Sequence, residues 1–164
     1  MRHGLLLFIR RLIHAINVAE AAKEMKEKQL NFSENARKEL AVFKEAVVEI
    51  VEKTVATFEN SDVDMAKMVE PLEEVIDDIN LEVRNRHVAR LTNNECTIEL
   101  GFVLSDIQTS FERVADHCSN IAVAVIQVSE DGYDTHEYLD TVKRDNNEEF
   151  KLMYSGYKTR YMLP

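Results

Sequence analysis

Apolar residues recur three and four positions apart along most of the chain, which is the spacing of one face of an α-helix. The clearest run follows Ser33, whose hydroxyl suits a helix N-cap, and continues to about Phe58. Its apolar face comprises Leu40, Phe43, Val47, Ile50, Val51, Thr54 and Phe58. The pattern predicts a long helix that buries this face against neighbours.

A second long helix is predicted over about 63–90, after the turn and cap signal at residues 60–62. Pro71 lies inside this stretch, and we expect a kink there rather than a stop, because proline removes one backbone donor. Asn93 and Asn94 end the pattern. The core candidates are Leu72, Ile76, Ile79 and Val83, followed by Val88 or Leu91.

A third long helix is predicted from about Thr97 to Val128, and Gly101 near its start permits close packing of a neighbour. A helix from about Leu5 to about Gln29 precedes all three. The tail after residue 130 predicts a short helix, a break at residues 145–147 and a last helix. One face of that last helix carries Phe150, Met153, Tyr154, Tyr157 and Tyr161.

The composition favours an all-α protein, because the 164 residues include only four glycines and two prolines. Long helices with short connections predict an antiparallel up-down bundle over residues 33–128. The net charge of −10 disfavours nucleic-acid binding. Two cysteines favour a reducing, cytoplasmic setting, and no apolar run is long enough for direct membrane insertion.

The chain contains an internal repeat, since FIRRLIHAINVAEA (residues 8–21) returns as FERVADHCSNIAVA (residues 111–124). The copies differ most at two positions. Glu112 and Asp116 of the second copy are Ile9 and Ile13 in the first. The second copy is therefore where we expect any chemistry.

Glu112 and Asp116 lie one helical turn apart and project to the same side. The preceding predicted helix has acidic residues at similar spacings, with Glu74–Asp77 and Glu73–Asp77 the natural pairs, and the full set is Glu70, Glu73, Glu74, Asp77 and Asp78. Four carboxylates would converge if the two helices are antiparallel neighbours. Such oxygen ligands favour Mg²⁺, Ca²⁺, Mn²⁺ or iron. The alternatives are a solvated acidic face, or a salt-bridge network that uses Arg113 and His117 with Arg84 or Arg86.

No catalytic motif is present: there is no glycine-rich phosphate loop and no GxSxG elbow. None of the five histidines follows a glutamate by three residues, which argues against a di-iron oxidase. His87 and His117 are more readily explained as structural histidines than as metal ligands. Cys118 is expected in the core and Cys96 at a helix end.

The stretch FERVADHCSNIA resembles the motif E-R-x-x-D-H-x-x-N-I-A of PhoU proteins, bacterial regulators of phosphate uptake built from two three-helix repeats. The stretch from Glu70 to Asp140, with the NEEFKLMYSGYKTRY tail, resembles the cytoplasmic C-terminal region of bacterial sodium-dependent phosphate cotransporters. The resemblance implies a PhoU-like bundle over residues 1–130 and a helical tail over 131–164. Within the bundle, residues 1–30 would be the last helix of a truncated first repeat, and 31–130 a complete second repeat.

The resemblance implies a non-enzymatic regulatory domain that binds a divalent metal or iron through Glu112, Asp116, Glu74 and Asp77. Its expected partners are a sodium–phosphate transporter membrane domain or phosphate-signalling proteins. The alternatives are a helical scaffold whose carboxylates form only salt bridges, or a metal-dependent enzyme.

The apolar stripe of the first helix would lose its covering helices in such a truncated repeat. We therefore expect it to drive homodimerisation or helix exchange, which analytical ultracentrifugation would detect. The stripe comprises Leu5, Leu6, Ile9, Leu12, Ile13 and Ile16.

Overall fold

The chain is helical in a computed structural model that describes residue 19 and residues 21–129 and 148–164. Five helices have defined bounds: α1 (Glu34–Asn60), α2 (Val63–Lys67), α3 (Val69–Thr92), α4 (Ile98–Ser129) and α5 (Glu148–Arg160). Residues 21–27 are also helical, and these described ranges contain no strand. The all-α prediction is confirmed.

Several predictions concern residues outside the described ranges. They are the apolar stripe from Leu5 to Ile16, most of the first repeat copy at residues 8–21, and the short helix expected after residue 134. They remain predictions.

The predicted caps of α1 and α2 are present. The Ser33 hydroxyl accepts a hydrogen bond from the backbone N–H of Ala36 at 3.3 Å, and the Asp62 carboxylate accepts one from Met65 at 2.9 Å. Ser61 between the helices is left-handed, with φ of 51°. Side-chain caps satisfy donors that the first turn of a helix leaves open, so the sequence defines these two starting points.

The kink predicted at Pro71 takes the form of a break at Met68, three residues before the proline. The helix α2 ends at Lys67 and α3 begins at Val69, with Met68 between them. Pro71 has no N–H to donate to the Lys67 carbonyl four residues earlier, and its ring crowds that carbonyl. The chain therefore breaks one turn before the proline, which sits in the first turn of α3.

The helices α1, α3 and α4 pack against one another around the core, as the bundle prediction requires. Phe43 of α1 meets Phe111 of α4 edge to face, with ring centroids 5.0 Å apart. Phe58 and Val88 depart from the prediction, being 67% and 54% exposed. The buried His87 takes the inward position beside Val88. The most deeply buried side chains include Phe43, Ile50, Leu72, Ile76, Val83, Val103 and Ile126.

The helix α5 packs on α3, and its tyrosines point toward the bundle. Tyr161, which follows the helix, is buried, and Tyr154 and Tyr157 pack against the core. The prediction that these residues share one face is confirmed. No helix in the described part of the chain is long and apolar enough to cross a membrane.

Candidate metal centre

Two side-chain contacts fix the register of the antiparallel helices α3 and α4. The Asn80 amide donates to a carboxylate oxygen of Glu112 at 3.1 Å. Nearer the start of α3 and the end of α4, the Ser119 hydroxyl donates to the Glu70 carboxylate. The residues between these contacts on each helix therefore share one stretch of the α3–α4 interface.

The Asn80 side chain is itself held by buried hydrogen bonds from Gln108. The Gln108 side-chain amide donates to the Asn80 carbonyl at 2.8 Å and to its side-chain oxygen at 2.7 Å. Both residues are buried. Because the Asn80 oxygen is occupied, its NH₂ group turns toward Glu112 and orients that carboxylate.

The four sequence-predicted ligands lie within this stretch but differ in exposure. Glu112 and Glu74 are half-buried, whereas Asp116 and Asp77 are exposed. Of these four, only Glu74 belongs to a group of carboxylates close enough to share a cation; among the described residues no such group includes Asp77, Glu112 or Asp116.

A tighter carboxylate cluster lies beside these residues on α3. Glu70, Glu73 and Glu74 each place one carboxylate oxygen within 4.8 Å of the others, and the first two side chains are buried. All three are among the acidic residues whose spacing made them candidates, but the family resemblance selected only Glu74 as a ligand.

The chemistry of this donor set fits a hard cation. Carboxylates this close repel one another, and a bound cation, a proton or a basic partner must offset that repulsion. In the part of the chain that the structure describes, the grouped donors are all carboxylates, the ligands that Mg²⁺, Mn²⁺, Ca²⁺ and iron accept.

The salt-bridge alternative is wrong for Arg86. Its guanidinium contacts Glu82 at 2.8 Å and Glu39 at 3.3 Å, away from Glu112. Arg86 therefore serves the packing of α1 on α3.

The cysteines and His87 form no second centre. Cys118 is fully buried in the core, as predicted. Cys96 Sγ lies 3.9 Å from His87 Nδ1, and burial raises the pKa of this thiol, which disfavours a reactive thiolate. Gly101 provides the predicted close packing, since a Cβ there would lie 3.1 Å from His87 Nε2.

The comparisons with known proteins agree with this architecture. A sequence model described as "PhoU domain" matches residues 40–125, which include all four predicted ligands. A curated relative from Thermotoga maritima, "Phosphate-specific transport system accessory protein PhoU homolog 1", is 29% identical over 127 residues. That alignment covers 77% of this chain and 53% of the relative, so the chain spans about half of the relative's length. No solved structure gives a significant match.

Proposed function

Because the chain belongs to the PhoU domain family, we propose that it is a regulatory domain associated with phosphate transport. The observation that carries this proposal is the family match over residues 40–125, which spans most of α1 and α4 and all of α2 and α3. The name of the Thermotoga relative, a phosphate transport accessory protein, supports it. The domain would act by contact with other proteins rather than by catalysis.

The partners in this proposal are a sodium–phosphate transporter membrane domain or phosphate-signalling proteins at the cytoplasmic face. The resemblance of residues 70–140 and of the tail to cotransporter C-terminal regions supports the first partner. The apolar stripe from Leu5 to Ile16 supports a homodimer as the active form.

Sodium-dependent phosphate uptake tests the proposal directly. Proteoliposomes would carry a bacterial sodium–phosphate cotransporter membrane domain, and the purified chain would be added on the cytoplasmic side. We expect the chain to cosediment with these vesicles and to change the initial uptake rate. An unchanged rate, with no cosedimentation beyond that of empty liposomes, would contradict transporter regulation.

We also propose that the domain binds a divalent metal or iron through Glu112, Asp116, Glu74 and Asp77. The hard-donor chemistry of the α3–α4 face supports this, with Glu70 and Glu73 adding negative charge beside it. A bound cation would neutralise the acidic face and hold α3 and α4 together, so that a partner would meet a less negative surface.

A structural role for the motif carboxylates is the second candidate. The hydrogen bond from Asn80 to Glu112 favours it, because Glu112 already has a partner within the bundle. A scaffold of this kind would gain no stability from added metal, which separates the two candidates.

A further inference from the structure

The helix α5 packs along α3, and residues near its C-terminal end also contact α1; the surface between α1 and α3 that it covers is called the α1–α3 groove. The Asp78 carboxylate of α3 accepts hydrogen bonds from the Tyr154 hydroxyl and from Lys158 Nζ, the latter at 2.9 Å. Further along, Arg86 donates to the Pro164 carbonyl at 2.6 Å. The later residue of α3 contacts the later residue of the tail, so α5 runs parallel to α3.

The opposite wall of the groove is α1. Glu49 accepts from the Tyr161 hydroxyl and forms an ion pair with Arg160 at 2.9 Å. Lys53, one turn along α1, lies over the Tyr157 ring at 5.9 Å from its centroid. Asp78 on α3 and Glu49 on α1 therefore each contact a cationic side chain and a tyrosine hydroxyl of the tail.

The residues of α5 are less deeply buried than those of the bundle core. No residue within α5 is fully buried, and Leu152 on its outer side is 75% exposed. Only Tyr161, just beyond the helix, is buried. The helix is held by exposed ion pairs and by the partly buried Tyr154 and Tyr157, so it buries less apolar surface than α1, α3 or α4 and separates more readily than they do. The ion-pair part of its attachment weakens with salt.

The tail also lies outside the family-matching region, which ends at residue 125. The α1–α3 groove, in contrast, belongs to that region except for its first residues. The family match therefore includes most of this surface and excludes the helix that covers it.

We propose that the α1–α3 groove is a docking surface for a helix of a partner protein, and that α5 is its built-in competitor. The partner helix would carry a tyrosine and a lysine four residues apart for Asp78, followed by an arginine and a tyrosine for Glu49. Charge complementarity with these two carboxylates selects this chemistry. The proposal holds whether or not the domain serves phosphate transport.

Peptide binding to the full chain tests this competition. The probe is a fluorescein-labelled peptide of residues 148–164, and the tail is displaced by Tyr154→Glu/Lys158→Glu, which repels Asp78. We expect the peptide to bind this variant about tenfold or more tightly than wild type, because the wild-type tail occupies the groove. Adding Asp78→Ala, which removes the carboxylate without attracting the variant tail, should weaken peptide binding about tenfold or more, whereas adding Asp106→Ala on α4, an equal charge change, should not.

Hydrogen exchange on the same proteins reports whether α5 has left the groove. Equal peptide binding to wild type and tail variant would overturn the proposal. So would no binding to a variant whose α5 amides exchange freely while α1 and α4 stay protected, or an α5 that stays protected in the variant. A concentration-dependent wild-type dimer that the tail variant loses would identify a second copy's tail as the occupant, and would also overturn it.

Discussion

His87 shows at the scale of single residues how burial fixes a protonation state. The side chain is 5% exposed, and its Nε2 has no hydrogen-bond partner among the described residues. Burial lowers the pKa of His87, the charge of Arg90 lowers it further, and Glu39 opposes the shift in part. The imidazole is therefore neutral in the folded bundle at neutral pH.

Acidification should destabilise the bundle through this residue. The folded-state pKa of His87 lies below its unfolded value of about 6.5, so its contribution is fully present above that pH. The contribution is lost as pH falls through the lowered pKa. We therefore expect the unfolding free energy, measured in urea, to fall between pH 7 and pH 5.

The matched variant is His87→Gln, which keeps a polar side chain and removes the titration. Its unfolding free energy should fall less than that of wild type over the same pH range. Parallel pH profiles for the two proteins would show that His87 is not the titrating group.

The sequence predicts His87 as a structural histidine, and its burial agrees. The neighbours of the His87 ring could not be predicted, because the turn between α3 and α4 is what brings Gly101 and Cys96 close to it. The burial of Glu70 and Glu73 could not be predicted for a related reason. Charged residues on a helix usually face solvent, and Glu70 is covered by packing against Ser119 of α4, 49 residues later.

A buried ion cluster joins the elements α1 and α3. Glu39 of α1 is 2% exposed and accepts two hydrogen bonds from Arg90, at 2.9 and 2.7 Å. Arg86 adds a third at 3.3 Å. A buried charge pair is weak evidence of net stabilisation, but removing one partner leaves the other uncompensated.

Glu39→Gln should therefore destabilise the bundle strongly. We expect a loss of about 3 kcal/mol in the unfolding free energy, because Arg90, whose side chain is only 12% exposed, is left without its counter-charge. Glu34→Gln is the control, since Glu34 forms an exposed ion pair with Lys38 within α1 and should change stability by less than about 0.5 kcal/mol. Similar small losses in both variants would contradict this role for Glu39.

Local signals predicted α1 and α4 to within about two residues, because caps and apolar periodicity act within one helix. The sequence placed the kink at Pro71, whereas the helix breaks at Met68. The difference arises because proline leaves the carbonyl four residues earlier without its hydrogen bond, so the helix is interrupted before the proline itself. The burial of Glu39 gave no local signal. Its partners lie 47 and 51 residues away in sequence, and its own stretch is typical of a solvated face.

At the scale of the whole molecule, two faces of the bundle carry different features. The α3–α4 face holds the carboxylates of the proposed metal site, and the α1–α3 groove holds the tail helix α5. The motif-based resemblance predicted the bundle and the acidic face. The seat of α5 could not be predicted, because it depends on pairs such as Lys158 with Asp78 that lie 80 residues apart.

Metal-dependent melting tests the central claim, that the acidic face binds a cation. Wild type would be melted with and without Mn²⁺, beside Glu112→Gln/Asp116→Asn, which keeps an acceptor for Asn80. The control Glu59→Gln/Asp106→Asn removes two exposed carboxylates elsewhere. At a metal concentration of about 100 times Kd, we expect about 2.7 kcal/mol of stabilisation, roughly 5–10 °C in Tm, for wild type and control. No shift in wild type, or an equal shift in the Glu112/Asp116 variant, would contradict the metal site.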